Sequence, residues 1–143
     1  MAIGVFDSGL GGLTIHRALI ERFAQADFIF LGDQANVPYG GRPGEEIVAL
    51  TRAGCEALFE RGCSLVVLAC NTAAAIALRR LQQTWLPGYR KALGRPVNIL
   101  GIIAPTVEAA VLQARTTISQ PRANRVSQPA RVRATISSPD LPP

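Results

Sequence analysis

The stretch AIGVFDSGLGG, residues 2–12, decides the fold of this chain. Its first five residues are continuously apolar, which is typical of a β-strand buried on both faces. A turn of Asp, Ser and Gly follows, and apolar residues then recur at helical spacing from Leu13 to Phe23. A buried strand, a tight turn and an amphipathic helix in this order predict one unit of a parallel α/β sheet.

The same alternation recurs along the next 90 residues. It predicts further strands and helices, which are Phe28–Leu31, Glu45–Arg61, Leu65–Ala69, Asn71–Gln83 and Val97–Ile103. The last of these helices is expected to end before the Pro87-Gly88 pair, and Pro105 can open another helix. We therefore predict the α/β class, with an open parallel sheet and flanking helices.

Charge is distributed unevenly along the 143 residues. The net charge is +5, yet the last 31 residues hold five Arg against one Asp, with five of the ten Pro and none of the 13 Gly. This stretch, 113–143, has no periodicity, and we expect it to be disordered. Its basic charge leaves open a binding module for nucleic acid, but it has no aromatic residue for stacking on bases.

Several classes of protein are disfavoured by composition. No apolar run approaches the roughly 18 residues needed to cross a membrane, and the first residues do not resemble a signal peptide. The three Cys match no zinc spacing, so we expect no metal site and reduced thiols in the cytoplasm. The only Lys, Lys91, lies in a predicted connection, which argues against a pyridoxal-phosphate enzyme.

Three of the predicted strands end in residues that can carry chemistry. These ends are Asp7-Ser8-Gly9, the loop from Asp33 to Gly40, and Cys70-Asn71-Thr72. Because parallel strands end at one edge of the sheet, we expect the three to converge on one ligand site.

Cys70 is the sharpest candidate at that edge. It ends a strand and precedes a helix, where backbone N–H groups favour a thiolate, although a buried and inert thiol is the alternative. Cys55 and Cys63 are expected to serve packing. His16 is expected on a helix surface, and Asp33 either orients the loop that carries Tyr39 or caps a turn.

The motifs as a set resemble the N-terminal half of bacterial glutamate racemase. They are GVFDSGLGG at 4–12, Gly32-Asp33 with Pro38-Tyr39-Gly40, and Ala69-Cys70-Asn71-Thr72-Ala73. The resemblance covers roughly residues 2–110 and implies interconversion of L- and D-glutamate without a cofactor, which supplies D-glutamate for peptidoglycan. It implies an incomplete first lobe over 1–95 and the start of a second lobe over 96–112.

The resemblance also implies roles for individual residues. Cys70 is the acid/base of the first lobe, and Asp7 assists the proton transfer. The residues that bind glutamate are Asp7, Ser8, Tyr39, Gly40, Asn71 and Thr72.

One feature of the family has no counterpart in this sequence. A second catalytic Cys lies in a Gly-Cys-Thr-His motif of the second lobe in the family, and no such motif occurs here. We therefore hypothesise a truncated or frameshifted chain with an uncovered apolar surface that self-associates. A racemase for another amino acid, such as aspartate, and a non-catalytic binding module with a basic tail remain alternatives.

Overall fold

The computed structural model describes residues 2–105 and 135–137 of the chain. The strands are β1 (Ala2–Asp7), β2 (Asp27–Gly32), β3 (Cys63–Leu68), β4 (Asn98–Gly101) and β5 (Thr135–Ser137). The helices are α1 (Leu13–Arg22), α2 (Gly44–Glu60), α3 (Asn71–Ile76), α4 (Leu78–Arg80) and α5 (Leu86–Leu93). A 3₁₀ turn spans Gln34–Asn36, and a π-helical segment, Leu81–Trp85, joins α4 to α5.

All strand pairs of the sheet are parallel, and the strand order is β4-β3-β1-β2-β5. The chain passes from β1 to β2 on one side, then returns across β1 to place β3 on its other side. Open α/β sheets bind ligands at such a reversal, beyond the carboxyl ends of the strands. We call the region at the ends of β1 and β3 the crevice. The expected α/β class with an open parallel sheet is confirmed.

The two faces of the sheet are covered unequally. On the α2 face, β1 and its neighbours pack against helices α2, α3 and α5 in a large buried cluster that includes Phe6, Leu58, Phe59 and Leu68. On the α1 face the buried cluster is small and consists of Ile3, Val5, Ile20, Phe28, Phe30 and Ala69. Alternate residues of one strand therefore point into two cores of different depth.

The ends of α2 are stabilised by charge. Glu45 and Glu46 lie in its first turn, where the helix dipole favours a negative charge. At its other end, the guanidinium of Arg95 donates hydrogen bonds to the carbonyl of Phe59 and, at 3.0 Å, to that of Cys63. Arg95 thus ties the last turn of α2 to the start of β3, because it satisfies carbonyls that the helix itself leaves without a donor.

Three of the expectations about helices are wrong. Helical structure does not stop at Pro87 but continues through α5. Proline is tolerated in the first turn of a helix because the N–H that it lacks would have no acceptor within the helix there. Lys91 therefore lies in a helix rather than in a connection. His16 is buried rather than exposed, and its ring packs against Phe28 and Phe30 at centroid distances of 5.8 and 5.5 Å.

The end of the chain is described only in part. Helical conformation begins at residue 103 and is described through 105, which agrees with a helix near Pro105. The predictions for 113–143 otherwise lie outside the described residues. At Thr135–Ser137 the structure has a short strand paired with Phe30–Gly32, where the sequence predicts no regular structure.

Candidate active site at the carboxyl edge of the sheet

The ends of β1, β2 and β3 meet at one edge of the sheet, as their parallel order requires. β1 lies between the other two, and the backbone N–H of Asp33 donates to the carbonyl of Asp7 at 2.9 Å. On the other side of β1, the N–H of Ala69 donates to the carbonyl of Phe6 at 2.8 Å. The predicted convergence of the three strand ends is therefore present in the structure.

Cys70 lies in the crevice between β1 and β3 and caps the helix that follows. Its backbone is extended, and its sulfur accepts a hydrogen bond from the backbone N–H of Ala73 at 3.4 Å. The hydroxyl of Ser8, which follows β1, lies 3.2 Å from the same sulfur. Either atom can be the donor in the contact between the Ser8 hydroxyl and the sulfur, so the sulfur has one amide donor and one hydroxyl partner.

Asp7 supports the turn that carries Ser8. Its side-chain oxygen Oδ2 accepts the backbone N–H of Gly12 at 2.9 Å, and the residue is 5% exposed. A Cβ at position 12 would lie 2.8 Å from the Cβ atoms of both Asp7 and Ala69, so only glycine fits there. The observed partner of the Cys70 sulfur on this side is Ser8, and a part for Asp7 in proton transfer stays a prediction.

Tyr39 is held by a buried carboxylate rather than by solvent. Its hydroxyl donates to Oδ2 of Asp33 at 2.7 Å, and the amide nitrogen of Asn36 lies 3.0 and 3.1 Å from the two carboxylate oxygens. Burial raises the pKa of Tyr39 well above its usual value, and the hydrogen bond to Asp33 raises it further. Of the two interpretations of Asp33, the structure supports the one in which it orients the Tyr39 loop.

The other predicted binding residues lie at the rim of the crevice. Gly40 and Asn71 are exposed, and Thr72 is half-buried beside Cys70. A Cβ at Gly40 would meet no atom within 4 Å, so the loop after Tyr39 faces open space. Backbone and side-chain donors around an open crevice suit a small anion such as a carboxylate.

The remaining thiols of the chain are far from this edge in the fold. Cys63 begins β3, at the opposite end of that strand from Cys70, and Cys55 lies within α2. Both are fully buried; burial raises the pKa of Cys63 to about 11 and that of Cys55 further still. The prediction that these two residues serve packing is confirmed, and Cys70 is the single thiol at the crevice.

Sequence reasoning missed one contact of the site. The pairing of Ser8 with the Cys70 sulfur joins residues 62 positions apart. The signal was present only as two motifs at two strand ends, and their contact depends on the strand order.

Among the described residues, no group of three or more His, Cys, Asp or Glu could hold a metal ion. No helix in that part of the chain is both long and apolar enough to cross a bilayer.

Comparison with known proteins identifies relatives of the chain. A glutamate racemase of Caulobacter sp. strain K31 is 83% identical over 110 residues, which are 77% of this chain and 39% of that protein. The crystal structure of glutamate racemase from Aquifex pyrophilus matches 79% of this chain at 40% identity and a TM-score of 0.63, over 41% of its own length.

A third relative was solved with a ligand. The glutamate racemase of Francisella tularensis, in complex with D-glutamate, matches 76% of this chain at 30% identity with a TM-score of 0.62, and the match covers 38% of that chain. No protein-family profile matches the sequence. The chain spans about two fifths of the length of the relatives it matches. Over its N-terminal 77%, this chain is therefore similar to part of the glutamate racemases.

Proposed function

We propose that the crevice at Cys70 is one half of a glutamate racemase active site that interconverts L- and D-glutamate without a cofactor. The observation that carries the proposal is the sulfur of Cys70, which lies 3.2 Å from the Ser8 hydroxyl and accepts the N–H of Ala73. A base is needed to remove the α-proton of an amino acid, and a cysteine thiolate can act as one.

In this proposal Cys70 exchanges a proton with one face of the substrate α-carbon. Its thiolate takes the α-proton, the C–H electron pair moves onto the α-carbon and its carboxylate, and Cys70 becomes a thiol. Racemisation requires a second acid that returns a proton to the opposite face. The other thiols of this chain, Cys55 and Cys63, are buried away from the crevice, so that acid comes from a second lobe of the kind that the resemblance implies.

The remaining residues of the crevice are proposed to hold glutamate. Ser8 lies beside the sulfur, Thr72 is half-buried in the first turn of α3, and Asn71 and Gly40 are exposed. Asp7 and Tyr39 complete the set, with Asp7 fixing the turn after β1 through the N–H of Gly12. We further propose that the enzyme works in the cytoplasm and supplies D-glutamate for peptidoglycan.

The test follows the thiol and the substrate separately. Iodoacetamide should alkylate Cys70 before Cys55 or Cys63, because burial raises the pKa of both other thiols. L- or D-glutamate should slow that alkylation, and aspartate should slow it less. Incubation of the chain with L-glutamate in D₂O should yield no D-glutamate, since only one thiol faces the crevice.

Matched variants make the test specific. Cys70→Ala should abolish the protected alkylation, and Cys55→Ala should leave it unchanged. Protection by aspartate alone would favour a racemase for that amino acid. Protection by none of these amino acids would contradict the proposed substrate class, and racemisation of L-glutamate by the chain alone would contradict the half-site.

A further inference from the structure

We infer that Asp33 is a positioning residue for the Cys70 crevice, because its carboxylate holds Tyr39 and the loop of residues 34–40 in the shape that forms one wall. The inference rests on the proposed function for the purpose of that wall. The claim that Asp33 holds the loop rests on contacts among the described residues.

The first contacts bind the loop to Asp33. The carboxylate is fully buried, and a buried charge is tolerated only where donors satisfy it. The donors come from the loop itself: the Tyr39 hydroxyl at 2.7 Å, and the Asn36 amide at 3.0 and 3.1 Å from the two oxygens. One carboxylate thus determines the conformation of the segment between β2 and Tyr39.

The second contacts fix Asp33 and the far side of the loop. The backbone N–H of Asp33 donates to the carbonyl of Asp7 at 2.9 Å, which ties the carboxylate to the end of the central strand. From the other side, Nε of Arg42 donates to the carbonyl of Asn36 at 2.9 Å. The loop is therefore held between the sheet and the segment that leads into α2.

The third observation connects the loop to the crevice. Tyr39 is only 2% exposed and belongs to the same buried cluster as Cys70 and Phe6, whose ring lies 6.4 Å from that of Tyr39. Its hydroxyl is engaged by Asp33, so the ring serves as a wall and the next residue, Gly40, faces open space. Loss of the carboxylate should displace this wall without altering the contacts of the Cys70 sulfur with Ser8 and Ala73.

The experiment compares Asp33→Asn with Asp27→Asn in the full chain. Asp27 is exposed and begins the same strand, β2, so it gives the same chemical change at the opposite end. The rate at which iodoacetamide alkylates Cys70 is measured with increasing D- or L-glutamate. Asp33→Asn should raise the glutamate concentration for half-protection about tenfold or more. It should leave the rate without glutamate unchanged, and Asp27→Asn should behave as the parent chain.

Amide hydrogen exchange supplies a readout that does not need a ligand. In Asp33→Asn, exchange should become faster over residues 36–42 and stay unchanged in β1 and β3. If exchange in those strands also rises, the variant has lost its fold, and Tyr39→Phe, which removes only the hydroxyl, takes its place in both measurements.

The possible outcomes separate the two proposals. Unchanged exchange over 36–42 in the folded variant overturns the inference about Asp33. Unchanged protection by glutamate, where the parent chain is protected, also overturns it. If neither enantiomer protects the parent chain, the proposed substrate fails, and the exchange over 36–42 alone decides whether Asp33 positions the loop.

Discussion

The two faces of the sheet show how the same strands can build cores of unequal strength. Phe6 of β1 and Phe30 of β2 are both fully buried, yet they point to opposite faces. Phe6 packs against Gly54 of α2 and beside Tyr39, whereas Phe30 stacks on His16 of α1. We call the α2 face the deep face; its buried cluster includes Cys70 and Tyr39 of the crevice. We call the α1 face the shallow face; it contains the buried imidazole ring of His16. Equal burial of two side chains therefore need not mean equal contributions to stability, because the cost of removing one depends on how well its surroundings can collapse.

The largest expected effect comes from emptying the deep face. Phe6→Ala should lower the free energy of unfolding by about 3–5 kcal/mol, because the helices around it cannot collapse into the space. Phe30→Ala should cost less, since α1 can settle toward the sheet. Urea denaturation of both variants checks the order. Phe23→Ala, at a 52% exposed position, is the control with little effect. Equal costs for Phe6 and Phe30 would contradict the difference between the faces.

A smaller effect should follow from overfilling the same face. A Cβ at Gly54 of α2 would lie 2.3 Å from the ring of Phe6, so Gly54→Ala should destabilise the fold by roughly 1–3 kcal/mol. Gly88→Ala in α5 is the matched control, because a Cβ there meets nothing within 4 Å. That change should stabilise the helix by about 0.5–1 kcal/mol. Opposite signs in thermal unfolding are the expected result; the same sign in both would refute the close contact at Gly54.

The smallest effect concerns the polar ring of the shallow face. Burial lowers the pKa of His16 below 6.5, and its Nε2 finds no hydrogen-bond partner among the described residues. The unfolded chain therefore binds the proton more tightly. Stability is full above about pH 6.5 and falls as the pH drops toward the folded-state pKa, by up to about 1.4 kcal/mol per pH unit.

His16→Leu tests this account by removing the proton site and keeping an apolar side chain under α1. In the variant, the free energy of unfolding should no longer fall between about pH 6.5 and 5. That range begins at the unperturbed pKa of His, at which the side chain binds a proton in the unfolded chain. Denaturation curves across that range, recorded for both proteins, give the comparison. Identical slopes would show that protonation of His16 is not linked to unfolding.

Much of the fold could be predicted because its signals are local. The apolar runs at Ala2–Phe6 and Phe28–Leu31 are strands in the structure, and each lies within a residue or two of the predicted bounds. The predicted helix from Asn71 ends too early, because a proline in the sequence is usually taken as the end of a helix. In the structure Pro87 lies in the first turn after a π-helical segment, where its missing N–H costs nothing.

The site could be predicted in part for the same reason. Strand ends that carry Asp7, Ser8 and Cys70 are visible as motifs, and parallel strands must bring them to one edge. The partners within that edge were not predictable. Asp33 had two equal interpretations, and the choice between them is made by the distance of its carboxylate from the Tyr39 hydroxyl.

Local sequence signals are sufficient to predict the order of strands β1 to β4, the glycine turn after β1 and the type of residue at the ends of the first three strands. These depend on periodicity and turn chemistry, which act over a few residues. Long-range packing places β1 between β2 and β3, brings Ser8 to Cys70 and buries His16. Such contacts join positions far apart in the chain, and they form because each face of the sheet must be covered as a whole.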